Sequence, residues 1–306
     1  MKVTKRLYFL DLGISSYPRR NGRIMSCTPE GTDFRELVTG LQTLPDGIAI
    51  DFENNHIYWT NIGESMVHDG SIHQCDLSGK NITTIIPSGV THTPKQLKIS
   101  QNKIYWCDRE GMRVMRAKLD GSSIETLYCA GRSDEDREDR QRWCVGIAVD
   151  EVRGKLYWSQ KGPSKGGLGH IMCMDLNQVD KKGSDVPADF SKADVHVVLD
   201  HLPEPIGLEL DTVSNTLYWT DRDDPPFGNS VNAVNLEAVS KAGHMALRLL
   251  VQRLHEGIGL SLDLENGRMF FGDLMGGVYV SRLDGTEKKT LFTDLGDITG
   301  LEYVNC

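Results

Sequence analysis

Apolar residues along this chain fall in short runs of strand length, broken by polar turns rich in Gly, Asp and Asn. The clearest run recurs. HIYWTN (56–61), KIYWCD (103–108), KLYWSQ (155–160) and TLYWTD (216–221) share an aromatic pair followed by a small residue and a polar or acidic one. RLYFLD (6–11) and RMFFGD (268–273) are looser copies near the two ends. Most strings follow a Gly-led apolar run such as GIAID (47–51), GIAVD (146–150) or GLELD (207–211), and KIYWCD follows QLKIS (96–100). After it come a segment of the GSIHQCDLSG type (70–79) and a further apolar run such as TTIIPS or VHVVLD. These segments are rich in Ile, Val, Tyr and Trp and are bounded by turn formers, which predicts strands rather than helices.

Four strands repeated about every 50 residues, six times over, predict an all-β chain. The expected fold is a six-bladed β-propeller of four-stranded antiparallel blades, forming a single domain over residues 1–306. The chain opens on an aromatic string with no inner strand before it, and DITGLEYVNC (297–306) reads as that strand. The C-terminal strand is therefore expected to join the N-terminal blade and close the ring, leaving no raw edge. Segments 176–193 and 236–246 read as polar, solvent-exposed excursions, and 234–251 as able to hold a helical turn before the strand resumes.

IYWTN, IYWCD, LYWSQ and LYWTD, each about ten residues after a Gly-apolar strand, resemble the YWTD repeat of the low-density lipoprotein receptor class B propellers. The resemblance covers the whole chain and implies the fold above. Receptor propellers of that family adjoin EGF modules, and neither such a module nor a secretion signal is read here. As a stand-alone propeller the chain is also similar to the fungal hetero-Diels–Alderases of tropolonic sesquiterpene pathways. That likeness implies cofactor-free coupling of a quinone methide with a humulene-type alkene.

A net charge of −9 speaks against nucleic acid, whose phosphates need a basic surface. No apolar run approaches membrane-spanning length, and a cytoplasmic location is expected. The seven cysteines are irregularly spaced without CxxC, so neither a zinc site nor a disulfide framework is signalled. Cys27 and Cys75 share a repeat position with Ala117, Met174, Val234 and Ser281, which marks a buried packing slot. SDEDREDR (133–140) reads as a mobile, charged loop tip, and NIT (81–83) fits a glycosylation pattern.

Loops between the second and third strands of each blade share one face with the connections between blades. On that face they are long, as in DLGISSYPRRNG (11–22) and DRDDPPFGNS (221–230), and a pocket is expected there at the mouth of the channel. Residues just before the inner strands form its upper ring: Asp46, Gln96, Trp143, Glu204, His255, Glu256 and Asp297. The candidate catalytic groups are His255, Glu256, Gln96 and Asp46, with histidine titrating near neutrality beside a carboxylate. Trp143, Phe227, Met66 and Met275 are candidates for an apolar substrate wall, with Glu204, Asp297, Tyr17 and His68 around it. Asp46, Glu204 and Asp297 also suit a plainer role, bonding loop amides, and Trp143 that of a packing anchor.

Three functions follow. A cofactor-free, metal-free cycloaddition enzyme for small apolar substrates needs mainly alignment, worth roughly 7–11 kcal/mol. No P-loop, GxGxxG, HExxH or nucleophile elbow competes with it. A protein-interaction propeller is the second, and a metal-dependent, lactonase-like hydrolase using Asp46, Glu204, Glu256 and Asp297 the third.

Overall fold

A two-residue period puts Ile57 and Trp59 on one face of a strand and Tyr58 and Thr60 on the other. All four are buried in the computed structural model, because each blade packs on both sides. The structure describes residues 5–64, 66–182, 195–242 and 246–305.

The fold is a six-bladed β-propeller of four-stranded antiparallel blades. Blade one contains β1 (Lys5–Asp11), β2 (Gly22–Cys27) and β3 (Arg35–Leu41). Blade two contains β4 (Pro45–Asp51), β5 (His56–Asn61), β6 (Ser71–Asp76) and β7 (Thr83–Ile86). Blade three contains β8 (Pro94–Ser100), β9 (Lys103–Asp108), β10 (Arg113–Lys118) and β11 (Glu125–Cys129). Blade four contains β12 (Cys144–Asp150), β13 (Lys155–Gln160), β14 (Gly169–Asp175) and β15 (Val195–Leu202). Blade five contains β16 (Pro205–Asp211), β17 (Thr216–Asp221), β18 (Ser230–Asn235) and β19 (Arg248–Val251). Blade six contains β20 (Gly257–Asp263), β21 (Arg268–Asp273), β22 (Val278–Arg282) and β23 (Lys289–Phe292). The last strand, β24 (Ile298–Asn305), returns to blade one and pairs antiparallel with β1, Lys5 opposite Asn305 and Phe9 opposite Leu301. The closure expected from the sequence is therefore present.

Two compact units emerge. Blades one, two and six lie in the first, with the chain up to Gln96 and from Arg253 onward. Blades four and five and most of blade three lie in the second, Leu97–Gln252. In the first unit Leu7, Phe9, Met25, Phe270 and Leu301 form one buried cluster, and Tyr8, Ile24, Ile57 and Trp59 another. In the second, Trp158 packs with Tyr105, Val114 and Met172, and Trp219 with Tyr157, Ile171 and Leu208. Truncating a buried Trp of this kind to Ala costs about 3–5 kcal/mol.

The small residue closing the aromatic pair has a specific task. Thr60 Oγ1 accepts from Gly47 N at 2.8 Å and donates to Lys95 O at 2.8 Å. Ser159 Oγ does the same between Gly146 N and Ile206 O, at 2.8 and 3.0 Å. In blade three Cys107 stands there, its thiol 3.2 Å from Gly146 O. The residue thirteen positions earlier is Pro94 rather than glycine, and it has no N–H to give.

The shared cysteine slot is buried in all six blades: Cys27, Cys75, Ala117, Met174, Val234 and Ser281. Burial pushes both the Cys27 and Cys75 thiols up to about 12. Among the described residues three α-helices interrupt the strands. Helix α1 (Asp134–Glu138) occupies the acidic run read as a mobile tip, with Ser133 and Asp136 forming a capping box at its start. Helices α2 (Leu176–Lys182) and α3 (Leu236–Ala242) occupy the two polar excursions. The second matches the helical turn expected within 234–251. The remainder of the first excursion, 183–193, lies outside the described residues.

Candidate functional site

In the first unit Asp46 and Gln96 come together. Asp46 is buried in β4, and Gln96 Nε2 donates to its Oδ2 at 3.1 Å. Lys95, which sequence reasoning passed over, pairs with the other oxygen of the same carboxylate. Asp297 serves loop amides: its Oδ2 accepts from Ser15 N at 2.7 Å, and its own N–H goes to Asp11 Oδ1 at 2.9 Å. His255 is exposed, with Nδ1 3.8 Å from Asp273 Oδ2, and its backbone N–H donates to that oxygen at 3.1 Å. Glu256 is exposed beside it, in the left-handed region at φ 60°. His68 stacks on His92 with ring centroids 4.1 Å apart and planes within 6°.

The loops after the aromatic strings of the first unit carry exposed apolar side chains. Tyr17 is 75% exposed and Ile14 51% in the β1–β2 loop. Met66 and Val67, in the β5–β6 loop, and Met275, in the β21–β22 turn, are exposed in the same way. Arg20 Nη2 to Glu64 Oε2, at 3.1 Å, ties the first two loops together.

In the second unit Glu204 is buried between Lys161 Nζ at 2.6 Å and Arg222 Nη2 at 2.7 Å, with Ser164 Oγ at 3.1 Å. Burial would raise its carboxyl, but Arg222 and Lys161 outweigh that and hold it below the usual range. Burial draws the Lys161 ammonium down, opposed by Glu204. Trp143 is half-buried, donates from Nε1 to Arg137 O at 2.9 Å, and lies 5.1, 5.4 and 5.6 Å from the cations of Arg109, Lys161 and Arg140. It is an anchor for charge, as cation–π geometry favours.

Phe227, on the β17–β18 loop, borders a cavity of about 400 Å³ in the second unit. Leu202, Pro203, Leu247 and Leu249 give it apolar walls, and Trp219 and Asp221, alternate residues of β17, form its floor. Asp221 Oδ1 accepts from Glu204 N at 2.8 Å, but its Oδ2 and the indole Nε1 of Trp219 are buried without a partner. Burial pushes the Asp221 carboxyl up to about 7. Sequence reasoning did not single out this pair.

Among the described residues no three metal-ligating side chains gather at one point. Three of the carboxylates offered for a hard cation are engaged: Asp46 by Lys95, Glu204 by Lys161 and Arg222, Asp297 by Ser15. No described helix is long and apolar enough to cross a membrane.

No family model matches the chain. It is 47% identical over 311 residues to low-density lipoprotein receptor-related protein 1 of Pyricularia oryzae, across 98% of each chain. It is 35% identical over 301 residues to the 3-hydroxyacyl-CoA dehydrogenase-like protein LAM1 of Cochliobolus heterostrophus, across 94% of this chain but 62% of that protein's length. Among solved structures, a chain of the nidogen/laminin complex superposes with a TM-score of 0.71 at 19% identity, over 98% of both chains.

Proposed function

We propose a function for this chain from the family to which it belongs, that of the low-density lipoprotein receptor-related proteins: it is a recognition propeller that presents the loops after its aromatic strings to a protein partner. One observation carries this reading. Tyr17, Met66, Val67 and Met275 stand exposed on the equivalent loops of blades one, two and six. In the same unit the polar groups satisfy one another, Asp46 with Lys95 and Gln96, Asp297 with Ser15. Exposed apolar side chains suit the core of an interface, where water is displaced.

The Cochliobolus relative extends beyond the matched region and bears a dehydrogenase-like name, so the partner class we favour is an enzyme of that kind. The test is co-expression with a 3-hydroxyacyl-CoA dehydrogenase-like protein of the same genome, followed by size-exclusion chromatography with light scattering. A stoichiometric complex that disappears in the Tyr17→Ser/Met66→Ser/Met275→Ser variant supports the reading. No complex, or one indifferent to those substitutions, ends it.

A second reading is the hetero-Diels–Alder enzyme, favoured by Phe227 at the edge of an apolar cavity. In it, Phe227 and the leucines would align diene and alkene, while Gln96 and Trp143 remain in the structural bonds described above. Purified protein should then change the adduct ratio of quinone methide and humulene-type alkene; a ratio equal to that without protein refutes it.

A further inference from the structure

The last residue of each aromatic string answers to the third strand of its blade, and in most blades the answer is closed. Asp11 is held by Arg23 at 2.8 Å, and Asp108 by Arg113 at 2.5 Å. Asp273 accepts from Tyr279 Oη at 3.0 Å and from the backbone of Met275 and Gly277. Asn61 accepts from the indole of Trp59 at 3.1 Å and donates to Ser71 Oγ at 3.3 Å. Blade five departs from this. Opposite Asp221 stands Ser230, whose hydroxyl donates instead to Phe227 O at 2.8 Å and accepts from Asn232 Nδ2 at 2.8 Å. Asp221 Oδ2 and Trp219 Nε1 are left with no partner, at 0% and 1% exposure of their residues. Leaving such groups unmade costs about 1–3 kcal/mol each, so the site gains by admitting whatever satisfies them. Trp158 Nε1 is also without a partner, but Tyr128 packs against that indole with ring centroids 4.7 Å apart.

We infer that the cavity of blade five is a binding site for a compact, neutral, apolar molecule bearing one hydroxyl, an alcohol or a phenol. The walls of Leu202, Pro203, Phe227, Leu247 and Leu249 take the hydrocarbon. The floor needs one group that accepts from an indole N–H and donates to a carboxylate oxygen, and a hydroxyl does both. At the same two positions in blade two the side chains satisfy each other directly, Trp59 Nε1 donating to Asn61 Oδ1. An ammonium would satisfy the carboxylate and leave the indole unmet. A carboxylate ligand would meet the indole and repel Asp221. A hydrocarbon would leave both unmet. This inference does not rest on the docking reading, whose loop residues Tyr17, Met66 and Met275 do not line the cavity.

The test uses p-cresol, toluene and benzylamine as probes against the whole chain at pH 8, by calorimetric titration and by saturation-transfer NMR. p-Cresol should bind at least tenfold more tightly than toluene or benzylamine. Trp219→Phe, which keeps a buried ring but removes the N–H, should abolish that preference while toluene binding stays within twofold. Leu249→Trp, on a partly exposed strand position, should exclude all three probes. Circular dichroism and the melting temperature establish that each variant is folded. Absence of p-cresol binding to the wild type overturns the inference. So does equal binding of p-cresol and toluene, tighter binding of benzylamine, or a p-cresol preference that survives Trp219→Phe in the folded variant.

Discussion

Replacing Asp221 with asparagine should remove a large part of this protein's sensitivity to pH. The folded carboxyl is pushed up to about 7 by burial, against 3.8 for an ordinary aspartate. Between those values the native state carries a proton that the unfolded chain has released. Unfolding free energy therefore falls as pH rises through this window, by about 1.4 kcal/mol per unit. About three units of difference make roughly 4 kcal/mol in all. Below 3.8 both states are protonated and the penalty is absent; above about 7 it is fully present. Asparagine keeps an oxygen for Glu204 N but carries no ionisable group. Urea unfolding of the wild type and of Asp221→Asn at pH 4, 5, 6, 7 and 8 supplies the two curves, and their difference cancels every titration the proteins share. The variant should gain on the wild type by roughly 4 kcal/mol between pH 4 and 8. A difference constant to within about 1 kcal/mol would show that the carboxyl ionises at its ordinary value, and the account of an uncompensated buried acid would fall.

Lys95→Met strands the buried Asp46 carboxylate and should cost about 3–5 kcal/mol in urea unfolding, with most of the loss recovered when Asp46→Asn is added. Ser159→Ala removes a hydroxyl that serves Gly146 N and Ile206 O and should cost about 1–3 kcal/mol by the same measurement. A chain stopped after Asp297 loses the partner strand of β1 and should accumulate as aggregate in a sedimentation assay, since Leu7 and Phe9 would lie on an open edge. Tyr17→Ser, Met66→Ser and Met275→Ser, all at exposed loop positions, should each change stability by less than about 0.5 kcal/mol.

The strands were legible because their signal is local. A two-residue alternation, an aromatic pair and a turn former identify a strand without reference to anything distant, and β5, β9, β13 and β17 coincide with the strings read for them. Even the partner of β1 could be inferred, since DITGLEYVNC resembles the inner strands of the other repeats. The acidic run 133–140 holds a short helix where a loop tip is expected, and the local cue to it is the capping box, Ser133 followed three residues later by Asp136. The site was less legible because its bonds are long-range. Lys95 meets Asp46 across 49 positions, and Lys161 meets Glu204 across 43. These pairings turn ring carboxylates from reactive groups into satisfied ones, and no local pattern announces them. The open floor of blade five did leave a trace. Aligning the repeats sets Arg23 and Arg113 opposite their aspartates but Ser230 opposite Asp221.

The hydroxyl of Ser159 belongs at once to β12 of its own blade and to β16 of the following one. An oxygen shared in this way acts as a rivet through two plates, and neither plate can lift while it holds. Native-state hydrogen exchange should accordingly find the amides of blades four and five released together rather than in succession. The smallest piece of this chain that keeps its shape would then be a couple of neighbouring blades, never one.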